Sequence, residues 1–320
     1  MATRFTVLVT AARWAPEAVN AIEAAGGAVE FMAEPLSDAA LLARLQAAPV
    51  DALLVRGPRK LSAEMLGAAR GLKIIAKNGA GIDGIDLDAA RRLGLTVAVA
   101  AGGNADAVAE HTIALMLALV REVPSLDRRV RSGAWGGGSG FVGRDFRGSV
   151  LGLVGYGAIG RATAHLAAAL GARVIVFRRD GSAEGFDVES DLHRLLPRVD
   201  ILSLHCPLTE TTRALIGARE FALLKPGTLL VNTARGAVVH EAALIDALRS
   251  GQLGGAALDT FVQEPLPAGH PLLAFDNVVL TPHVAGTTRD SVLRVALIAA
   301  RNVIDHLAGR PLPAANVVVG

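Results

Sequence analysis

The chain has 320 residues, with 32 Lys+Arg against 30 Asp+Glu and a formal net charge of +2. That excess is too small to suggest nucleic-acid binding by bulk electrostatics, although the pI of about 9.0 leans basic. With 52% hydrophobic and 19% charged residues the chain is not of the disordered class, and its length suits two domains. Only 4% of residues are aromatic while 35 are glycine, which fits Ala/Val/Leu/Ile helices on a parallel sheet better than an aromatic-rich β-sandwich.

Short strand-like runs alternate with helix-like runs from the first residues onward. Phe5–Val9 precedes a helix at Pro16–Ala24, and Ala28–Phe31 precedes one at Asp38–Gln46, with Ser37 or Asp38 as cap. Ala52–Val55 leads to Ser62–Ala69, and Lys73–Ile75 leads through a glycine-rich turn to Asp86–Arg92. Thr96–Val99 completes this first βαβ series, the signature of a parallel sheet.

Ala105–Val120 then reads as a long helix whose C-terminal half is apolar on nearly every side, so it is expected to pack against more than one neighbour. An interdomain connector or a subunit interface would meet that requirement. The glycines of Ser132–Gly148 break both periods and mark a loop.

A second series begins at Ser149–Val154 and continues through strands at Arg173–Phe177, Ile201–Leu204, Thr228–Val231, Gly255–Leu258 and Val278–Leu280. Helices are expected at Ile159–Leu170, Asp191–Leu195, Ala218–Leu223 and Glu241–Ser250, and a last long one at Thr287–Ala308. Too little chain follows that last helix to build another domain. It is therefore expected to return to the first unit, so that the second domain is inserted into the first. The expected fold class is α/β, with two Rossmann-like or flavodoxin-like parallel-sheet domains.

Cys206 is the single cysteine, so no intrachain disulfide can form. The start of the chain lacks a signal peptide's long apolar region, and no apolar run approaches the roughly 18 residues of a membrane span. A soluble, cytoplasmic protein is the expectation.

The clearest chemical signal is Gly155-Tyr156-Gly157-Ala158-Ile159-Gly160, directly after an apolar strand and opening a helix. Glycines at these places permit a tight turn, close backbone approach to a pyrophosphate and close helix-on-strand packing, with the helix N-terminus facing the phosphates. Three polar islands follow later strands: Asn232-Thr233-Ala234-Arg235-Gly236, Leu258-Asp259-Thr260-Phe261-Val262-Gln263-Glu264-Pro265, and Thr281-Pro282-His283-Val284-Ala285-Gly286. Carboxyl ends of parallel strands face the ligand crevice, so a fixed cation, a carboxylate and an imidazole are expected in one region. Hydride transfer to a ketone needs an acid to protonate its oxygen and a cation to polarise it.

These four motifs, in this order and spacing, resemble the D-isomer-specific 2-hydroxyacid dehydrogenase family over nearly the whole chain. The resemblance implies reversible hydride transfer between NAD(P)H and a small 2-keto acid/D-2-hydroxy acid, of glyoxylate/hydroxypyruvate reductase type. It implies Arg235, Glu264 and His283 as the catalytic set. His283 would act as general acid in reduction, Glu264 would orient it and favour the imidazolium, and Arg235 would grip the substrate as a fork. It further implies cofactor contacts at Gly155 to Gly160 and at His205, Cys206, Pro207, Thr233, Ala234, Asp259 and Gly286.

In the first domain, Asn78, Ala80 and Gly81 resemble the family's substrate loop, whose backbone N–H groups hold a carboxylate. A purely structural glycine turn is the alternative there. Arg56, at the end of Ala52–Val55, could meet an anionic substrate or simply be solvated. Residues of about 1–102 and 287–320 would bind substrate, and about 103–286 would bind dinucleotide, with a cleft between the two. A homodimer is implied as well.

Two rival readings remain. A phosphoglycerate dehydrogenase could seat a phosphate on Arg56, Arg59, Lys60 and Lys77, and a dinucleotide-sensing corepressor would bind a protein partner. Formate dehydrogenases pair their histidine with glutamine, and Glu264 argues against that branch.

The eight histidines show no metal-ligand spacing, so no metal is expected, and His111 reads as structural.

The residue ending the second strand of a dinucleotide fold selects the cofactor: an acid binds the ribose 2′-OH, whereas arginine accommodates a 2′-phosphate. Here Arg178 and Arg179 follow Arg173–Phe177, so NADP(H) is expected to be preferred, with NAD(H) possible. Asp180, two residues further on, is the competing ribose acceptor.

Overall fold

A computed structural model describes residues 4–34, 36–57, 59–135, 143–179 and 181–320. Asp180 and the 136–142 part of the glycine-rich segment lie outside the described residues. The chain divides into two compact units, Met1–Asn104 with Thr287–Gly320, and Ala105–Gly286.

The first unit contains β1 (Phe5–Val9), α1 (Pro16–Ala24), β2 (Gly27–Phe31), α2 (Asp38–Ala47), β3 (Ala52–Val55), α3 (Ala63–Ala68), β4 (Ile74–Lys77), α4 (Leu87–Arg92) and β5 (Thr96–Val99). Local chemistry sets the helix starts. The hydroxyl of Ser37 accepts from the Ala40 N–H, that of Ser62 from Met65 N–H, and the Asp86 carboxylate from Ala89 N–H. The strands run in the order β2-β1-β3-β4-β5, all parallel, so the order reverses between β1 and β3. Each buried strand is apolar on both faces, because helices cover both sides.

The second unit opens with α5 (Ala105–Val120), the amphipathic α6 (Val123–Arg131) and β6 (Val150–Val154). It continues through α7 (Ala158–Ala169), β7 (Arg173–Phe177), β8 (Asp187–Glu189), α8 (Leu192–Leu195), β9 (Ile201–Leu204), α9 (Ala218–Leu223) and β10 (Thr228–Asn232). It ends with α10 (Glu241–Arg249), β11 (Leu253–Leu258) and β12 (Val278–Leu280). Its seven strands are all parallel in the order β12-β11-β10-β9-β6-β7-β8, with the reversal between β6 and β9. One core lies between the sheet and α5 and α7, with Met116, Leu151, Ala164 and Val231 fully buried. The other lies on the opposite face among Leu195, Leu202, Leu230 and Leu244.

The last helix, α11 (Arg289–Leu307), is capped by Thr288 and packs with α1 on the sheet of the first unit. A short strand, β13 (Val317–Val319), then pairs antiparallel with β5 at the sheet edge. Among the described residues no helix is long and apolar enough to cross a membrane.

Candidate active site

The turn after β6 lies beside the reversal of the second sheet. Gly155 has φ +104°, and its N–H donates to the Phe177 carbonyl at 3.2 Å, tying the turn to the end of β7. A Cβ there would lie 2.8 Å from the His205 carbonyl group, and one on Gly160 would overlap the Gly155 carbonyl. Both glycines are demanded by close packing. Gly157 is different: it is the N-cap of α7, and a Cβ would meet nothing within 4 Å. That open ground above the first-turn amides of a 12-residue helix fits a dinucleotide pyrophosphate, with the exposed Ala158 and half-buried Ile159 continuing the cradle. Tyr156 packs edge-on to Phe186, with the Arg161 guanidinium 5.6 Å from its ring centre.

Arg178 and Arg179 follow β7. One Arg178 nitrogen donates to the Ser182 carbonyl at 2.6 Å, while Arg179 is exposed. After β9, His205 Nε2 lies 2.9 Å from the Ser203 hydroxyl, and its Nδ1 is buried with no hydrogen-bond partner among the described residues. Burial pushes the His205 imidazole down to about 4. Burial also pushes the Cys206 thiol up, which removes nucleophilic thiolate and leaves Cys206, with Pro207, as wall.

Three strand ends carry Arg235, Glu264 and His283. At β10, the Asn232 side chain accepts from the Ala234 N–H and donates to the Arg235 carbonyl, folding the loop that presents Arg235. Arg235 Nη1 donates to the Ala234 carbonyl at 2.7 Å. Thr233 is buried against Thr112 of α5, 2.9 Å between hydroxyls. After β11, Asp259 is buried, and Glu264 Oε1 accepts from the Phe261 N–H at 3.0 Å. After β12, His283 sits in the left-handed region at φ +55°, which L side chains other than Asn, Asp and His seldom adopt.

His283 Nδ1 and Glu264 Oε2 are 2.8 Å apart. A carboxylate only accepts, so Nδ1 carries the proton and donates it to Glu264. The imidazole is half exposed. The geometry is that of an oriented acid–base pair.

The left-handed turn is held by Asp259. Its Oδ1 accepts from Thr281 Oγ at 2.6 Å and from the Val284 N–H at 2.9 Å, and Oδ2 accepts from the Ala285 N–H at 2.9 Å. This scaffolding role adds to the cofactor contact expected of Asp259. Gly286 closes the same loop.

In the first unit, Arg56 and the Ala11–Trp14 loop follow β3 and β1, at the reversal of that sheet. The Arg56 N–H donates to Thr10 Oγ at 3.0 Å and its Nη1 to the Arg13 carbonyl at 2.7 Å. Asn78 Oδ1 accepts from Trp14 Nε1 at 3.0 Å, so that oxygen already holds the neighbouring loop. Ala80 is exposed and Gly81 half-buried beyond Gly79, which has φ +145°.

Sequence reasoning missed Thr112, Thr281 and the bracing role of Asp259. Asp259 and Thr281 lie inside two of the quoted motifs and Thr112 lies in α5, but their partners are far along the chain.

A profile described as "D-isomer specific 2-hydroxyacid dehydrogenase, NAD binding domain" matches residues 113–285. The chain is 41% identical to the D-3-phosphoglycerate dehydrogenase of Archaeoglobus fulgidus over 82% of this chain and 50% of that one. It therefore spans about half the length of that relative. It is 42% identical to the glyoxylate reductase of Aeropyrum pernix over 84% of this chain and 83% of that one. A solved acyclic imino acid reductase in complex with NADPH and D-Arg superposes with a TM-score of 0.89, at 26% identity, covering 98% of this chain and 100% of that one. The chain belongs to the D-isomer specific 2-hydroxyacid dehydrogenase family.

Proposed function

We propose that the protein catalyses reversible hydride transfer between NADP(H) and a small 2-keto/2-hydroxy acid, in the manner of a glyoxylate or hydroxypyruvate reductase. The carrying observation is the 2.8 Å His283–Glu264 pair on the strand ends that neighbour the Arg235 loop.

The second unit would hold the dinucleotide on Gly155 to Gly160 and along His205, Cys206, Pro207, Thr233, Ala234, Asp259 and Gly286. When bound, the reduced cofactor supplies a hydride for the keto carbon. His283 then gives the Nε2 proton to the keto oxygen, so that the 2-hydroxy acid leaves neutral at that oxygen. Glu264 keeps the ring oriented and stabilises the imidazolium before transfer. Arg235 fixes the substrate carboxylate and polarises its carbonyl through a planar fork. In oxidation His283 takes the proton back.

The first unit would supply the substrate's anion-binding groups, the Ala80 and Gly81 amides with Asn78 and Arg56. A phosphorylated substrate is the weaker reading. Of the four cations it would use, Arg59 is already paired with Asp38 at 2.9 Å and is nearly buried, and Lys77 Nζ donates to the Gly57 carbonyl. NADP(H) is preferred because Arg178 and Arg179 stand where an acid would bind the ribose 2′-OH, and the solved relative with NADPH fits that reading.

We also propose a homodimer. Val123 and Val130 of α6 are each more than half exposed, and Trp135 is 79% exposed, which leaves apolar surface for a second copy to cover. With one cysteine and no disulfide, a reducing cytoplasmic location suits the chain.

The test is kcat/KM for glyoxylate, hydroxypyruvate and 3-phosphohydroxypyruvate with NADPH and NADH. The reading expects the two small acids with NADPH to lead. Faster turnover of the phosphorylated acid, or preference for NADH, sinks the corresponding part.

A further inference from the structure

Helix α5 reaches the ends of two catalytic strands through adjacent residues. Thr112 Oγ donates to the Val108 carbonyl at 2.7 Å, so its lone pair is what Thr233 Oγ–H meets at 2.9 Å. That bond pins α5 to the start of the Arg235 loop. One residue earlier, His111 Nε2 lies 3.1 Å from Thr281 Oγ and 3.8 Å from Asp259 Oδ1.

Counting protons orients the chain of bonds. Thr281 has a single hydroxyl proton, and at 2.6 Å it goes to the Asp259 carboxylate. Thr281 Oγ must therefore accept from His111, which fixes the Nε2–H form of that ring. The carboxylate in turn accepts from the Val284 and Ala285 amides, the two residues directly after His283. Hydrogen bonds aligned in one direction polarise and stiffen one another. The peptide that this chain grips is the one that must hold His283 at φ +55°.

We propose that His111 is a positioning residue for His283, acting through Thr281 and Asp259. It donates to Thr281, and the three together hold the left-handed turn that keeps the His283 imidazole on Glu264. His111 itself touches neither substrate nor cofactor in this role. The inference rests on the reading of His283 as the acid–base group.

The experiment compares His111→Leu, His111→Gln, Thr281→Val, the Leu/Val double variant and His283→Ala, all as full-length protein. It uses glyoxylate with NADPH and with NADH, and measures kcat, KM, cofactor Kd by nucleotide fluorescence, and Tm. A misplaced acid costs turnover rather than affinity, so His111→Leu should lose roughly 10- to 100-fold in kcat with cofactor Kd within about 2-fold of wild type. Gln carries an amide N–H near the place of Nε2, so His111→Gln should recover to within about 3-fold. Groups in one network are non-additive, so the double variant should be no worse than the poorer single one.

Wild-type kcat in His111→Leu, equal losses in the Leu and Gln variants, or additive losses in the double variant would overturn the proposal. So would a kcat loss matched by a collapse in Tm. His283→Ala separates the two layers. If it is inactive while His111→Leu is unimpaired, only the positioning role falls; if His283→Ala turns over normally, the reading of His283 falls and the positioning role with it.

Discussion

Gly236 and Phe261 meet backbone to backbone. A Cβ on Gly236 would overlap the Phe261 carbonyl group and lie 2.5 Å from the Val262 nitrogen. The loop that presents Arg235 thus rests on the loop that presents Glu264, whose carboxylate is itself tied to the Phe261 N–H. Glycine is required here for close approach, since its φ is not in the left-handed region.

Gly236→Ala must therefore push the two loops apart. Overpacking of this kind costs about 1–3 kcal/mol. A shift near 1 Å between reacting groups costs on the order of 100-fold in rate. Steady-state kinetics should show a kcat loss of that order, with Tm lowered by a few degrees. Unchanged kcat would mean that the contact between the two loops does not set the position of Arg235.

His283→Ala should lower kcat for keto-acid reduction by roughly 10²–10⁴-fold, the usual size of positioned acid–base catalysis. Cofactor Kd should be retained, because none of the glycine-rich turn depends on this side chain. Glu264→Gln keeps the size of the side chain but loses the anion beside Nδ1, so it should fall between His283→Ala and wild type. A Gln variant with wild-type kcat would leave the 2.8 Å pair without a catalytic purpose.

Cofactor choice hangs on Arg178. Among the described residues its guanidinium gives one bond, to the Ser182 carbonyl. Charge-assisted hydrogen bonds are worth about 1.5–3 kcal/mol, so Arg178→Asp should shift the NADPH/NADH ratio of kcat/KM toward NADH by roughly 10- to 150-fold. An unmoved ratio would assign Arg178 to the loop alone.

His205 makes stability depend on pH in a defined window. Burial holds its imidazole at about 4, below the ordinary 6.5, so the folded protein stays neutral there while the unfolded chain takes up a proton. The unfolded state binds more protons between those two values. Stability is therefore fully present above pH 6.5 and is lost as pH falls toward 4, by at most about 3 kcal/mol from this group. Urea unfolding at pH 7 and pH 4.5 should show a smaller loss for His205→Gln than for wild type. Equal losses would place the pH sensitivity on other groups.

Much of the molecule is written locally. Strand–helix alternation, the caps at Ser37, Ser62 and Asp86 and the spacing of Gly155, Gly157 and Gly160 are short-range signals, and each element they mark forms. That Arg235, Glu264 and His283 each follow a parallel strand was legible in the pattern, and such strand ends gather on one edge of a sheet.

What only the tertiary structure decided depends on partners distant in sequence. Three valines near the C-terminus become β13 because β5 offers an unpaired edge, and the polar Asp187–Glu189 becomes β8 because β7 offers another. Amphipathic α6 buries no residue of its own against this chain, so its stripe gave no core signal to read. The left-handed turn at His283 and the hydrogen-bond chain from His111 join residues 170 positions apart. No pattern along the chain encodes such a contact, because periodicity fixes only which face a residue occupies. The packing of α5 on the sheet fixes what that face meets.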